Sequence, residues 1–138
     1  MDKKTLIEHL NEDLSGELQA IVQYLQHSFL VKGLDRIPLH DQLEGNSKDE
    51  MGHAETLAER IVAMGGIPTV KPRRIVQPET TEGMLQADLE GENKAIADYT
   101  VRITEAVEAG EEATALILEN ILVDEQGHAD GLVMLLRK

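Results

Sequence analysis

Residues 49–57 read DEMGHAETL, and residues 124–132 read DEQGHADGL. The two nonapeptides lie 75 positions apart, and the same offset lays DLSGELQAIVQY at 13–24 over DLEGENKAIADY at 88–99, with Asp, Leu, Gly, Glu, Ala, Ile and Tyr in register. Around these stretches the apolar residues recur at steps of three and four, the period of one helix face. A first helix over 4–31 carries Leu10, Leu14, Ile21 and Tyr24 once Glu17 is counted in the stripe. A break at Lys32–Arg36 contains Gly33, and Pro38 opens a second helix with Leu43, Leu57, Ile61 and Met64, ended by Gly65-Gly66. Residues 65–79, with Pro68, Pro72 and Pro78, have no helical period. Thr80 and Thr81 cap a third helix with Leu85, Leu89, Ile96, Tyr99, Ile103 and Val107, and beyond Gly110 a fourth runs from about Glu111 with Leu118, Ile121, Leu132 and Leu135.

The expected fold is all-α: a four-helix bundle of two duplicated antiparallel hairpins, about 4–64 and 80–137, joined by a crossover at 65–79, in a single domain over 1–138. A second helix of about 27 residues spans about 40 Å, and fifteen extended residues reach about 50 Å. The connection therefore reaches from one end of the bundle to the other, which leaves the second and third helices parallel.

Composition agrees. With 138 residues there is room for one core, and aromatics at 2% leave aliphatic side chains to fill it. Thirteen basic against 26 acidic residues give a formal charge of −13, which repels nucleic acid and anionic membranes and attracts cations. Cysteine is absent, so disulfides and thiolate metal sites are excluded. No signal-peptide pattern or membrane-length apolar run is present, and a soluble, cytoplasmic protein is expected.

Each helical stripe is interrupted by one glutamate, at Glu17, Glu50, Glu92 and Glu125. In an antiparallel hairpin, residues equidistant from the turn lie at one height. The midpoint of 17 and 50 falls at the first break, and that of 92 and 125 falls beside Gly110, so the four glutamates meet at one level. His53 and His128 follow their glutamates by three residues, on the same face about one turn on. Four ionised carboxylates in an apolar interior cost several kcal/mol each unless compensated. No stripe offers Lys or Arg, whereas two divalent cations match the charge and neutral imidazoles complete the donor set, a combination suited to iron or manganese. Tyr24 and Tyr99 need buried hydrogen-bond partners, for which a glutamate oxygen of the cluster is the nearest candidate. Asp49 and Asp124 are expected to accept the free ring N–H of His128 and His53 respectively, each from the other hairpin. His9, His27 and His40 lie outside this geometry and read as surface or interface residues.

These motifs resemble the ferritin-like di-iron carboxylate proteins, most closely the bacterioferritins, which place Glu on two helices and Glu-x-x-His on the other two. The resemblance covers nearly the whole chain. It implies that Glu17, Glu50, His53, Glu92, Glu125 and His128 bind two iron ions per chain, manganese being the alternative, with Glu50 and Glu125 bridging them. It implies a ferroxidase that oxidises Fe(II) with dioxygen or peroxide for storage or detoxification, in a homodimer or larger homo-oligomer. The rival readings are a rubrerythrin-like peroxidase with a separate electron donor, and an iron-binding bundle without turnover. Rubrerythrins add a carboxylate one turn after the third-helix glutamate, where this chain has Ala95. The chain also stops ten residues after His128, too early for the family's fifth helix, so a hollow cage is not expected to follow automatically.

Met51 is not duplicated, its counterpart being Gln126. At about 100° per residue it lies about 130° from the site direction and faces out of the bundle. Packing in a subunit interface explains it; so does the resemblance, in which two such methionines ligate one haem b across a dimer axis. Leu18, Ile21, Val22 and Leu25 would wall that haem, and Gly52 leaves room for it.

Overall fold

The computed structural model describes residues 1–138. It contains four helices, α1 (Lys3–Leu30), α2 (Arg36–Ala63), α3 (Thr81–Glu108) and α4 (Glu112–Leu136). The local signals read from the chain act where expected. Thr80 accepts the Gly83 amide at 3.0 Å, and Asp2, which the sequence reading did not single out, accepts that of Thr5 at 2.7 Å, each satisfying a first-turn donor that has no helical partner. Pro38 sits in the first turn of α2. Gly33, Gly65 and Gly110 take φ of 101°, 95° and 77°, left-handed values that let the chain turn sharply after α1, α2 and α3.

The direction of each helix follows from who bonds to whom. The pairs His9–Glu105, Asp13–Arg102, Glu17–Tyr99, Tyr24–Glu92 and His27–Asp88 climb α1 while descending α3, so these helices are antiparallel. The crossover runs alongside α1. Asn11 holds Ile67 and Thr69, the Arg73 amide donates to the Ser15 carbonyl, and Val76 reaches Gln23 and His27. Residues 65–79 thus traverse the bundle, and α2 and α3 are parallel. The contacts are α1 with α2, α3 with α4 and α1 with α3, while α2 and α4 touch little.

The apolar interior is in two parts. One cluster, around Leu6, Leu10, Leu57, Ile61, Ala106 and Leu118, fills one end. The other, around Val31, Leu43, Met84, Leu85 and Leu132, fills the other end. The four glutamates occupy the level between them. Val107 and Leu135, expected on the buried stripes, are instead exposed in the last turns of α3 and α4. No helix is long and apolar enough to cross a membrane.

Candidate metal centre

Glu17, Glu50, Glu92 and Glu125 are all at most 2% exposed. Their donor atoms and those of the two histidines form two quartets within 4.8 Å: Glu17, Glu50, His53 and Glu125, and Glu50, Glu92, Glu125 and His128. Glu50 and Glu125 belong to both. Five buried atoms here, Glu17 Oε2, Glu50 Oε1, His53 Nδ1, Glu92 Oε2 and Glu125 Oε1, have no hydrogen-bond partner. Buried polar atoms are almost always paired, so five orphans in one place fit a cluster able to hold cations. Oxygen and imidazole donors without sulfur suit iron or manganese.

The surrounding groups orient these donors. His53 Nε2 donates to Asp124 Oδ2 at 2.8 Å, and His128 Nε2 to Asp49 Oδ2 at 2.9 Å. Each bond crosses between α2 and α4 and leaves Nδ1 turned toward the carboxylates, 3.2–3.6 Å from their oxygens. Carboxylate–histidine pairs set ring orientation and ligand basicity in this manner. Tyr99 donates to Glu17 Oε1 and Tyr24 to Glu92 Oε1, both at 2.6 Å, so each tyrosine holds the glutamate of the opposite hairpin.

The electrostatics show the cost of leaving the cluster without metal. Burial raises the Glu17 carboxyl and pushes Glu92 up to about 7. Burial, then Glu17, lifts Glu50 well above the usual carboxylate range. Burial also opposes charge on Glu125, but His128 and His53 outweigh it and hold that carboxyl well below its ordinary value. Burial likewise disfavours the imidazolium of His53 and His128, and the facing carboxylates reverse the balance, raising both. Burial thus favours the protonated forms of Glu17, Glu50 and Glu92, while the facing carboxylates favour the imidazolium forms of both histidines.

Two features escaped the reading of the sequence. His27 is a fully buried residue, not a surface one; it bonds to Asp88 at 2.9 Å and to the Val76 carbonyl at 3.0 Å. Arg102 is buried too, clasping Asp13 through Nε at 2.8 Å and Nη2 at 3.1 Å, so a cation does lie on the α3 stripe but is already paired. The duplication held the clue. Position 27 is the counterpart of 102, and Asp13 is that of Asp88. His9 pairs with Glu105 at 2.8 Å, and His40 lies near Asp41 and Glu44.

Fold and cluster together define a four-helix-bundle protein with a candidate dinuclear carboxylate–histidine centre. The profile of the ferritin-like domain matches residues 7–138. The bacterioferritin of Streptomyces coelicolor is 40% identical over 131 residues, 92% of this chain and 77% of that protein. The bacterioferritin of Desulfovibrio desulfuricans is 33% identical over 127 residues, 91% and 71% respectively. A crystal structure of a ferritin-like di-iron carboxylate protein from Bacillus anthracis superimposes with a TM-score of 0.96 at 38% identity, covering 99% of both chains. The chain belongs to the ferritin-like family, and bacterioferritins are among its relatives.

Proposed function

We propose that this protein is a ferroxidase that binds two Fe(II) ions as substrate between Glu17, Glu50, His53, Glu92, Glu125 and His128. The observation that carries this reading is the set of orphaned donor atoms, with Glu50 and Glu125 common to both quartets and so able to bridge. Two ferrous ions supply two electrons, enough to reduce dioxygen to peroxide or peroxide to water. The protein supplies negative charge matched to the cations, fixed imidazole tautomers through Asp49 and Asp124, and Tyr24 and Tyr99 donors that hold Glu92 and Glu17. Ala95 brings no further carboxylate, which favours this reading over a rubrerythrin-like peroxidase.

The test is metal stoichiometry together with oxidation rate. Two Fe(II) per chain and fast oxidation are expected, and Glu125→Ala is expected to remove the fast phase. Native-rate oxidation by Glu125→Ala, or binding without oxidation, overturns the assignment. Metal content of protein purified from its own cells separates iron from manganese. The cytoplasm is the compartment in which we place this chemistry.

The same proposal includes a homodimer through the outer faces of α1 and α2. Val22, Leu25, Phe29 and Met51 are exposed there, with Met51 at 48%. Their duplicated counterparts on α3 and α4 are Ala97, Thr100, Thr104 and Gln126. At these four positions one copy is large and apolar and the other small or polar, which suits an interface on the first hairpin. Met51 of each copy, with open space at Gly52, fits a haem b at that interface, where haem would supply electron transfer.

A further inference from the structure

A cavity of about 210 Å³ enters between α1 and α3 and reaches the four glutamates. Its lining includes Arg73 and Val76 of the crossover. Val76 is held on both sides: its amide donates to Gln23 Oε1 at 2.9 Å, and its carbonyl faces His27 Nε2 at 3.0 Å. The other ring nitrogen of His27 faces Asp88 Oδ2 at 2.9 Å, and Gln23 Nε2 donates to Asp88 Oδ1 at 3.0 Å.

A carbonyl and a carboxylate are both acceptors, and a neutral imidazole has one N–H. Satisfying both contacts therefore needs one more proton than neutral His27 and ionised Asp88 carry. The His27 and Asp88 side chains are 0% and 1% exposed, so water does not reach the contact between them. The duplication supplies an internal control, because the pair at the equivalent position, Arg102 with Asp13, joins a permanent cation to the counterpart of Asp88.

We propose that this buried proton is a latch: His27 is a positioning residue that holds the crossover over the entrance to the metal centre while the His27–Asp88 pair is protonated and frees it when the proton leaves. The proposal rests on the metal-centre reading for its consequence, not for the latch itself. Once the proton is lost, a single ring N–H remains. Kept by Asp88, the stronger acceptor, it leaves the Nε2 lone pair against the Val76 carbonyl. Asp88 on α3 is the charged group facing the ring, Gln23 and Tyr24 are its neighbours on α1, and from the crossover it meets the Val76 carbonyl. Arg73 is turned to Asp98 at 3.5 Å and lies over Gly16, where an added Cβ would come within 2.8 Å of it. Releasing the crossover moves this cation away from a carboxylate-lined path. The sign is fixed: the latch holds at lower pH and opens as pH rises.

The experiment follows three readouts on the full chain. Nitrogen-15 spectra at mildly acid pH are expected to show both ring nitrogens of His27 engaged with protons. Exchange of the Val76 amide, corrected for intrinsic rate, is expected to be about tenfold faster in His27→Leu, which has no donor for the Val76 carbonyl, than in wild type, the factor that loss of one buried hydrogen bond gives. Wild type is expected to approach the variant as pH rises. Co(II), which binds without turnover, is expected to enter faster under the same two changes. Equal amide protection in wild type and variant, or wild-type protection that grows with pH, overturns the latch; wild type alone decides the matter if His27→Leu does not fold. Latch behaviour with an unchanged Co(II) entry rate refutes the gating role. Failure of Co(II) to bind at all refutes the metal-centre reading, and the gating role with it, while the exchange data still judge the latch.

Discussion

Stripping metal from the protein and raising the pH sets the sharpest demand on the proposed centre. In the metal-free bundle, burial holds Glu92 at about 7 against an ordinary 4.5. Between these values the folded protein keeps a proton that the unfolded chain has released. Stability is therefore fully present below 4.5 and is lost as pH rises toward about 7. The difference amounts to about 3 kcal/mol for Glu92 alone. Glu17 and Glu50 are raised by the same burial and act in the same direction. Glu125, held low by the histidines, contributes stabilisation that is already complete above 4.5 and is lost only as pH falls further, so it does not offset the loss in this window. For a chain of this size, about 3 kcal/mol corresponds to a fall in Tm of roughly 10 °C. Thermal melts followed by circular dichroism, in chelator and across that window, measure it directly. Divalent metal requires deprotonated ligands, so the loaded protein is expected to show the opposite slope and to gain on chelator-treated protein as pH rises. A metal-free protein whose Tm stays level or climbs from 4.5 to 7 refutes the claim that these carboxylates are desolvated and uncompensated.

Removing the partner of one imidazole tests orientation separately from ligation. Asp49→Ala leaves His128 without its Nε2 acceptor and is expected to weaken metal binding about 10- to 100-fold, read by titration, with little change in the fold. Arg102→Met strands the buried Asp13 carboxylate and is expected to cost about 3–5 kcal/mol in urea unfolding. Burial already pushes Asp13 up to about 6 with Arg102 in place, so that loss is expected to shrink as pH falls and the carboxyl protonates. Sedimentation is expected to show a dimer, and haem reconstitution half a haem per chain, lost in Met51→Ala. A monomer that takes up no haem refutes both the interface and the haem site.

The repeat at 49–57 and 124–132 determined most of this molecule before any fold was known. A 75-residue offset that carries glutamates, tyrosines and Glu-x-x-His pairs together leaves few arrangements other than paired hairpins with the glutamates at one height. Helix period and turn chemistry are local properties, and so they are legible along the chain. The crossover was accessible through length and the repeat together, because fifteen residues can reach across the bundle and the duplication suggests hairpins related by a two-fold axis. Tertiary structure alone decided which other charged side chains pair across α1 and α3. Asp13, His27, Asp88 and Arg102 are charged residues that a pattern of apolar stripes assigns to the surface, and each is buried because its partner comes from the other hairpin. A lone buried charge is strongly unfavourable and a well-paired one is tolerated, so the burial of any one of the four depends on a residue some sixty to ninety positions away. Val107 and Leu135 show the converse: the right period on a helix face, but in a last turn where no neighbouring helix covers them. Periodicity names the face a side chain points to, and only the packed bundle decides what lies opposite.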